Sequence, residues 1–334
     1  MILAADVGAS NTRLGLFESL HGAVHPVEIR KYRNRDFPDF YQVLRNFLPP
    51  RTSIESACFG VAGPVLNGKV ELTNCSWLIE TARLKAQVGT AGISLLNDME
   101  ATGYGIASLD SRDLQVLNPA PAQPTATAAL IAAGTGLGET VLLWNGTRRI
   151  PLPAEAGHAD FAPNNQVETD LLCYLRDRFH HVSWDRVLSG PGLLLIYQFL
   201  RDTGRATERV EIAEAIRTGD PGASIANAAL QGTCELCSQA LDIFVGIYGA
   251  ETGNLALRSL AAGGVYVAGG IAPKIREKLG DGRFLRAFLN KGRMQAFLQT
   301  VPVYLVLKEE TALFGAANFA AATTPLTSEA APGV

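Results

Sequence analysis

Short apolar runs separated by a glycine-containing turn open the chain. The segment ILAADVGASNTRLGLF has two such runs around a Gly/Ser/Asn turn, and this pattern predicts a β-hairpin. The next segment, DFPDFYQVLRNFL, contains the start signals Asp36 and Pro38 and predicts an amphipathic helix. The apolar face of that helix consists of Phe40, Val43, Leu44, Phe47 and Leu48.

Predicted strands and helices alternate along the rest of the chain. SACFGVAG, KVELTN and GISLLND are predicted strands, and the last leads directly into a helix that begins near Met99. TAALIAAGTGLGETVLLW repeats the pattern of strand, glycine turn and strand, and helical periodicity dominates from about 165 to 260. GGVYVAGGIAPKI then predicts a strand, a Gly-Gly turn and a helix, and VPVYLVL is a late strand. This alternation is typical of an α/β fold.

Length and a weak internal repeat indicate two domains. A chain of 334 residues is too long for one small core. The segment AADVG at residues 4–8 matches AAGTG at residues 132–136, at an offset of 128, so each predicted hairpin would begin a domain. Between them, NPAPAQPT at residues 118–125 has no periodicity, and we interpret it as the seam, that is, the boundary between the two domains.

Composition and charge exclude two classes of function. Apolar residues make up 47% of the chain and charged residues 18%, which allows a large core. The net charge is −3, and no Lys/Arg run could neutralise a nucleic-acid backbone, so we expect no nucleic-acid partner. No run of about 18 apolar residues exists. Because the chain also starts without a basic region and Asp6 interrupts the first apolar run, we expect a cytoplasmic protein with no signal peptide and no membrane partner.

The five cysteines are expected to be reduced thiols. Cys234 and Cys237 form a CxxC motif, but no second pair or clustered histidine completes a zinc site. The surrounding GTCELCSQAL also has the periodicity of an amphipathic helix, so helix packing is the favoured interpretation.

Two glycine turns, at residues 8–13 and 134–138, are candidate phosphate sites. Glycine lets backbone N–H groups approach an anion closely because no Cβ intervenes. Each turn alone is also typical of an ordinary hairpin. Neither contains GxxxxGK[ST], and strands rather than helices follow both, which argues against P-loop and dinucleotide folds. The remaining interpretation is that two hairpins face one phosphate group, and Asp6 would then lie near a bound Mg²⁺.

Polar residues at strand and loop ends are candidates for the chemistry. Asn97 and Asp98 follow an apolar strand, where a carboxylate can accept the proton of an attacking hydroxyl while the amide orients that alcohol. The alternative is that Asp98 caps the next helix. Glu155 and His158 lie three residues apart in a loop and could bind sugar hydroxyls. Asp185 precedes RVLSGPG, which predicts a new helix.

Seven segments together resemble the bacterial glucokinases in order and spacing. They are DVGASNTRLGL, GVAGPVLNGKVELTNCSW, LLNDMEATGYGI, AAGTGLGETVL, PAEAGHADFAP, DRVLSGPGL and GGVYVAGGIAPKI. The resemblance extends from Leu3 to about Phe319. It implies the two-domain actin-like (ribonuclease H-like) ATPase fold, an α/β architecture with an interdomain cleft. We expect a small domain of residues 1–110 plus about 311–334, and a large domain of residues 111–310.

The resemblance also implies a role for each site residue. The first phosphate motif falls on Asp6, Gly8, Ser10, Asn11 and Arg13, with Asp6 reaching Mg²⁺ through water. The second falls on Gly134, Thr135, Gly136 and Gly138, and the adenosine motif on Gly269 and Gly270. The hexose-binding positions are Asn97, Asp98, Glu155, His158 and Asp185, with Asp98 as the catalytic base.

Three positions depart from the pattern of the family. Ala9 and Ser10 stand where the first motif usually has Gly and Thr, so Ala9 adds a methyl group near the phosphates while Ser10 keeps a hydroxyl. Asp185 stands where the family has glutamate, one methylene longer. The zinc signature CxCGxxGCxE of the other bacterial sugar-kinase group is absent, and no DNA-binding extension precedes Leu3, which favours the glucokinase branch.

The resemblance implies a glycolytic glucokinase that transfers a phosphoryl group from ATP, with Mg²⁺, to the 6-hydroxyl of glucose or a similar hexose. It also implies a homodimer. Three alternatives stay open at this point: a kinase for another hexose or amino sugar, a sugar or nucleotide sensor of the same fold with little turnover, and an actin- or chaperone-type ATPase.

Overall fold

A computed structural model describes residues 1–20, 22–49, 52–72 and 75–323. The chain forms two compact units, one of residues 1–109 with 310 onward and the other of residues 110–309. The tail after Pro325, which we expect to be frayed, lies outside the described residues.

Strands form one main sheet in each unit. Those of the first unit are β1 (Ile2–Val7), β2 (Asn11–Leu20), β3 (Ala23–Arg33), β4 (Ser56–Val61), β5 (Lys69–Leu72), β6 (Trp77–Glu80) and β7 (Ile93–Asn97). Those of the second are β8 (Leu114–Asn118), β9 (Ala128–Ala133), β10 (Leu137–Trp144), β11 (Arg149–Pro151), β12 (Val265–Ala268) and β13 (Val303–Val306).

Helices complete both units. In chain order they are α1 (Phe40–Phe47), α2 (Thr81–Val88), α3 (Asp98–Gly105), α4 (Gln166–Arg176), α5 (Trp184–Val187), α6 (Gly190–Asp202), α7 (Val210–Thr218), α8 (Pro221–Leu230), α9 (Glu235–Ser259), α10 (Arg276–Leu279), α11 (Arg283–Leu289), α12 (Gln295–Gln299) and α13 (Thr311–Thr323). The first unit contains α1 to α3 together with α13, which follows the whole second unit in sequence.

The main sheet of the first unit has the order β3-β2-β1-β4-β7. β1 and β2 form the predicted antiparallel hairpin, and β1, β4 and β7 run parallel to one another. Every residue of β4 is buried, whereas β3, at the edge, is mostly exposed. The uniform apolar character of the central strands follows from burial on both faces of a parallel sheet.

The predicted amphipathic helix is confirmed as α1, but its start signal differs. Asp39, rather than Asp36, caps the helix, and its side chain accepts a hydrogen bond from the backbone N–H of Gln42. The side chain at this N-cap satisfies a donor that the helix itself leaves unpaired. Four of the five predicted face residues are buried; Leu48 lies just past the end of the helix.

The main sheet of the second unit has the order β11-β10-β9-β12-β13-β8, with β9, β12 and β13 parallel. The hairpin predicted around Gly134–Gly138 is confirmed as β9 and β10. The proposed seam at residues 118–125 is wrong. The segment follows β8, which pairs with β13 inside this unit, so the proline-rich stretch connects two strands of one sheet.

The long helix α9 runs through the core of the second unit, and most of its residues are buried. Cys234 caps it, and the Sγ atom accepts a hydrogen bond from the backbone N–H of Cys237. Both thiols are buried, so the CxxC motif contributes to packing and capping. Within the described ranges, no helix combines the length and apolar character needed to cross a membrane.

Candidate active site

Three parallel strands of the first unit end at one edge of its sheet. The register aligns Val7 of β1 with Val61 of β4, and Val61 with Asn97 of β7. Adjacent strands lie about 4.8 Å apart, so the ends of β1 and β7 are separated by about 10 Å. Gly8 and Asp98 each follow one of these aligned ends directly. The fold therefore brings the predicted base and the first glycine turn to the same edge.

The first glycine turn is closed by its own backbone and held by Asn34. The N–H of Gly8 donates to the carbonyl of Asn11 at 3.0 Å. The buried Asn34 side chain donates to the carbonyl of Gly8 at 2.8 Å and accepts from the hydroxyl of Thr12 at 2.9 Å. The backbone N–H of Asn34 donates to the carbonyl of Ser10 at 3.0 Å. One residue thus fixes three positions of the turn.

Asn34 is a site residue that sequence reasoning missed. It lies in a short 3-10 turn after β3, and no motif or periodicity marks it. It reaches the glycine turn because β3 pairs with β2 in a register that sets Arg33 opposite Asn11. A cavity of about 920 Å³ opens beside the turn, and Ser10, Arg33 and Arg35 are among its lining residues.

Asp6 faces Arg13 across the hairpin. The two residues are register partners, and Oδ2 of Asp6 lies 3.4 Å from Nη1 of Arg13. Burial raises the pKa of Asp6, and the nearby Arg13 opposes this shift. A largely buried carboxylate with a single long ion pair, one residue before a phosphate turn, fits the sequence expectation of a group that faces hydrated Mg²⁺.

Asn97, not Asp98, is the N-cap of α3. The Asn97 side-chain oxygen accepts a hydrogen bond from the N–H of Met99, and the N–H of Asn97 donates in turn to the carboxylate of Glu100. The Asn97 amide also donates to the carbonyl of Gly63 at 3.1 Å. Oδ1 of Asp98 lies 2.9 Å from the N–H of Met99, and the residue is half-buried at the first helical position. Because Asn97 makes the capping box, the helix start does not depend on Asp98 alone.

In the second unit, three predicted site segments meet at Leu137, which lies within the second glycine turn. The backbone N–H of Leu137 donates to Oδ1 of Asp185 at 2.7 Å. A Cβ on Gly157 would lie 2.1 Å from the carbonyl oxygen of Leu137, so the turn that contains Glu155 and His158 can lie directly on this strand only because residue 157 is glycine. Asp185, the Glu155–His158 turn and the glycine hairpin are therefore neighbours.

Glu155 directly precedes the short 3-10 turn Ala156–His158, His158 ends that turn, and both side chains are exposed. The chain just after His158 pairs with the segment that precedes Asp185, because the N–H of Trp184 donates to the carbonyl of Ala159 at 3.0 Å. These two loops consequently present their polar side chains in one region of the second unit.

The adenosine motif lies beside the second glycine turn. The N–H of Ile271, immediately after Gly269-Gly270, donates to the carbonyl of Ala133 at 3.2 Å. The N–H of Gly190 donates to the carbonyl of Gly134 at 2.9 Å. The turn itself closes through Gly134 and Gly136, and Thr135 is exposed at its tip. The predicted second phosphate turn and the predicted adenosine motif thus lie next to each other in this unit, with Gly190 beside the turn.

Two buried carboxylates lie beneath the second glycine turn. Glu139 follows Gly138 in β10, and Glu251 faces it from α9; Arg258 forms ion pairs with both. Burial and the negative charge of Glu251 raise the pKa of Glu139 from its ordinary value of 4.5 to about 8, while Arg258 opposes the shift. Burial also raises the pKa of Glu251. Asn254 donates to Glu251, and burial lowers the pKa of Lys291 nearby.

A Glu139→Gln variant is expected to remove a pH dependence of stability. Between pH 4.5 and about 8, the folded protein keeps a proton that the unfolded chain releases. Stability from this group is therefore complete below pH 4.5 and is lost as pH rises towards 8. The free energy of unfolding of the variant minus that of wild type should rise by on the order of 2–3 kcal/mol as the pH is raised from 5.5 to 8.5. Urea unfolding at a series of pH values measures this difference. Glu211→Gln, at an exposed site, is the control, and parallel curves for wild type and Glu139→Gln would contradict the prediction.

Comparison with known proteins gives consistent results over nearly the whole chain. The family model described as Glucokinase matches residues 3–323. A glucokinase of Nostoc sp. is 44% identical, with 96% of this chain and 99% of the relative covered. A glucokinase from Yersinia enterocolitica is 34% identical, with 95% of each chain covered.

Solved structures extend the similarity to the fold. The crystal structure of a glucokinase from an Antarctic psychrotroph has a TM-score of 0.82 and 30% identity, and covers 96% of this chain and 98% of that one. A glucokinase from Balamuthia mandrillaris, solved in complex with glucose, has a TM-score of 0.78 at 22% identity, with 96% and 93% covered. The predicted two-domain, actin-like α/β fold class is confirmed. From the family model and the relatives together, the chain belongs to the glucokinase family.

Proposed function

We propose that this protein transfers the γ-phosphoryl group of ATP to the 6-hydroxyl of glucose, giving glucose 6-phosphate and ADP. One observation carries the proposal beyond family membership. The register of β1, β4 and β7 sets the start of the first glycine turn and Asp98 at one sheet edge, about 10 Å apart. A hexose and its attacking hydroxyl fit within a separation of that size.

In the proposed reaction, Asp98 accepts the proton of the 6-hydroxyl as that oxygen attacks the γ-phosphorus. A bond forms between the sugar oxygen and phosphorus, the bond from phosphorus to the β–γ bridging oxygen breaks, and ADP leaves with that electron pair. The proton ends on the Asp98 carboxylate. Most of the acceleration comes from positioning and charge neutralisation, and the base contributes roughly 10²–10⁴-fold.

The nucleotide would bind along both glycine turns, where the absence of a Cβ lets the backbone approach the phosphates. Gly8, Ser10, Asn11 and Arg13 are the proposed residues of the first turn, and Gly134, Thr135, Gly136 and Gly138 those of the second, with Gly269 and Gly270 at the adenosine. Mg²⁺ bound to ATP would neutralise charge on the transferring phosphoryl group. Asp6 is the residue that fits such an ion, through water, because its buried carboxylate has only Arg13 at 3.4 Å as an ion-pair partner among the described residues.

The sugar would be held by Asn97, Asp98, Glu155, His158 and Asp185. Asp185 also makes a hydrogen bond within the protein, because its Oδ1 accepts from the N–H of Leu137. The other carboxylate oxygen, Oδ2, is the atom we assign to a hexose hydroxyl.

One assay tests the proposal directly. ADP release is measured with Mg-ATP in the presence of glucose, mannose, fructose, N-acetylglucosamine or no sugar. We expect glucose to support the highest kcat/KM and the sugar-free rate to be negligible. Equal ADP release without sugar would favour a chaperone-type ATPase, and glucose binding without ADP release would favour a sensor.

A second candidate is a kinase for another hexose. The short carboxylate at position 185 and its hydrogen bond to Leu137 favour it, since the sugar hydroxyl at this position would have to come closer than in a site built with glutamate. A kcat/KM for mannose or fructose above that for glucose in the same assay would select this candidate.

We also propose that the protein is a cytoplasmic homodimer that acts in glycolysis. Support comes from the sequence resemblance and from family membership. Light scattering after size exclusion tests the dimer, which should have twice the chain mass of 35.6 kDa.

A further inference from the structure

Tyr248 is a fully buried residue of α9 whose hydroxyl group lies between two glycine segments. It accepts a hydrogen bond from the backbone N–H of Ala133 at 3.2 Å and donates one to the carbonyl of Ala268 at 3.4 Å. Ala133 directly precedes Gly134, and Ala268 directly precedes Gly269. The phenol therefore contacts the last residue before each segment.

The hydroxyl group extends the ladder between β9 and β12 by one rung. The last register pair of these parallel strands is Ala132 with Ala268. One residue further, the N–H of Ala133 and the carbonyl of Ala268 are joined through the phenolic oxygen instead of directly. The strands can thus diverge into their glycine segments without leaving these two buried backbone groups unpaired.

The ring and its surroundings keep this bridge rigid. Phe244 and Phe284 pack edge-on against the Tyr248 ring, with centroids 6.0 and 5.9 Å away. Burial raises the pKa of the phenol, so it stays protonated and can donate and accept at once. The carbonyl of Ala133 accepts from Ile271, so both backbone groups of this residue are tied to the β12 side of the sheet.

We propose that Tyr248 is a positioning residue that sets the second phosphate turn and the adenosine segment at a fixed separation for ATP. The inference rests on the proposed function of those two segments. Tyr248 touches neither substrate, and it acts through Ala133 and Ala268. Preorganised N–H groups bind phosphate more tightly because less order must be created on binding.

Tyr248→Phe removes only the hydroxyl group, and it tests the proposal. We expect KM for ATP and Kd for ADP to rise roughly three- to ten-fold, as the loss of one to two buried hydrogen bonds predicts. KM for glucose should stay within about two-fold of wild type. Hydrogen exchange should accelerate at residues 132–138 and 268–271.

Tyr197→Phe is the matched control. Tyr197 is also buried in the second unit, and its hydroxyl donates to Glu208 at 3.0 Å, away from both glycine segments. This variant loses one buried hydroxyl hydrogen bond, where Tyr248→Phe loses two, so it measures the general effect of such a loss on folding. We expect it to leave KM for ATP unchanged.

The outcomes separate this inference from the proposed function. An active wild-type protein with unchanged nucleotide constants in Tyr248→Phe would overturn the inference alone. Equal increases in KM for ATP and for glucose would also overturn it, because they would indicate general loosening. A wild-type protein that binds no ADP and phosphorylates no sugar would overturn the proposed function and the inference together.

Discussion

An Asp98→Asn variant is expected still to bind glucose while its kcat falls by roughly 10²–10⁴-fold or more. Asparagine keeps the shape of the side chain and an oxygen that can face the N–H of Met99, 2.9 Å from Oδ1 in the native residue. It cannot accept the proton of the attacking hydroxyl. Steady-state ADP release gives kcat, and calorimetric titration with glucose gives Kd.

The fold should tolerate this change, because Asn97 and Glu100 form the capping box of α3. Asp36→Asn is a suitable control, since this aspartate is exposed in the same unit. Unchanged turnover in Asp98→Asn would remove Asp98 from the role of base. Loss of glucose binding with retained thermal stability would instead assign it to sugar binding alone.

The sequence predicts which residues lie at the carboxyl ends of the strands, because strand patterns and their termini are local signals. Hydrophobic runs that end in a glycine turn or a polar pair predict β1, β4, β7 and β9, and the carboxyl ends of parallel strands are where ligands bind in α/β sheets. Asp98 is therefore identifiable before any coordinates exist. The alignment of Asp98 with Gly8 cannot be predicted in this way, because it depends on the order of the strands in the sheet.

Contacts between distant segments could not be predicted in the same way. Asn34 holds the first turn only because β3 pairs with β2, and Tyr248 reaches Ala133 only because α9 packs under β9. Both residues lie in segments whose local pattern is that of an ordinary turn or helix. The sequence resemblance predicts Asp185 as a sugar ligand, but its hydrogen bond to Leu137 depends on a tertiary contact.

The prediction that the proline-rich segment at residues 118–125 is the domain boundary was wrong for a related reason. Proline and alanine mark a segment without regular structure, and such a segment can join strands within a domain as readily as domains themselves. The observed boundary near residue 109 follows Ile106–Ser108, a 3-10 turn with no distinctive composition. Composition indicates where the chain is irregular, and strand pairing decides to which unit it belongs.

The packing of α3 on α13 leads to a large expected effect on stability. A Cβ on Gly315 of α13 would lie 1.7 Å from the carbonyl oxygen of Ala101, and one on Gly105 of α3 would lie 1.9 Å from that of Thr311. The two helices therefore approach until backbone touches backbone. Gly315→Ala must push them apart, and we expect it to cost at least about 3 kcal/mol, at the upper end of overpacking effects. Thermal unfolding and hydrogen exchange across residues 98–105 measure this loss.

The same change should also reduce kcat, because α3 begins at Asp98 and any shift of the helix moves the proposed base. Gly246→Ala is the matched control. It lies inside α9, where a Cβ would meet no atom within 4 Å, so helix propensity should stabilise the protein by about 0.5–1 kcal/mol. If Gly315→Ala lowers the free energy of unfolding while Gly246→Ala raises it, the loss at Gly315 is due to the contact between α3 and α13. A Gly315→Ala protein as stable as wild type would mean that α13 can move away from α3 freely, and the position of Asp98 would then have to be fixed by β7 and Asn97 alone.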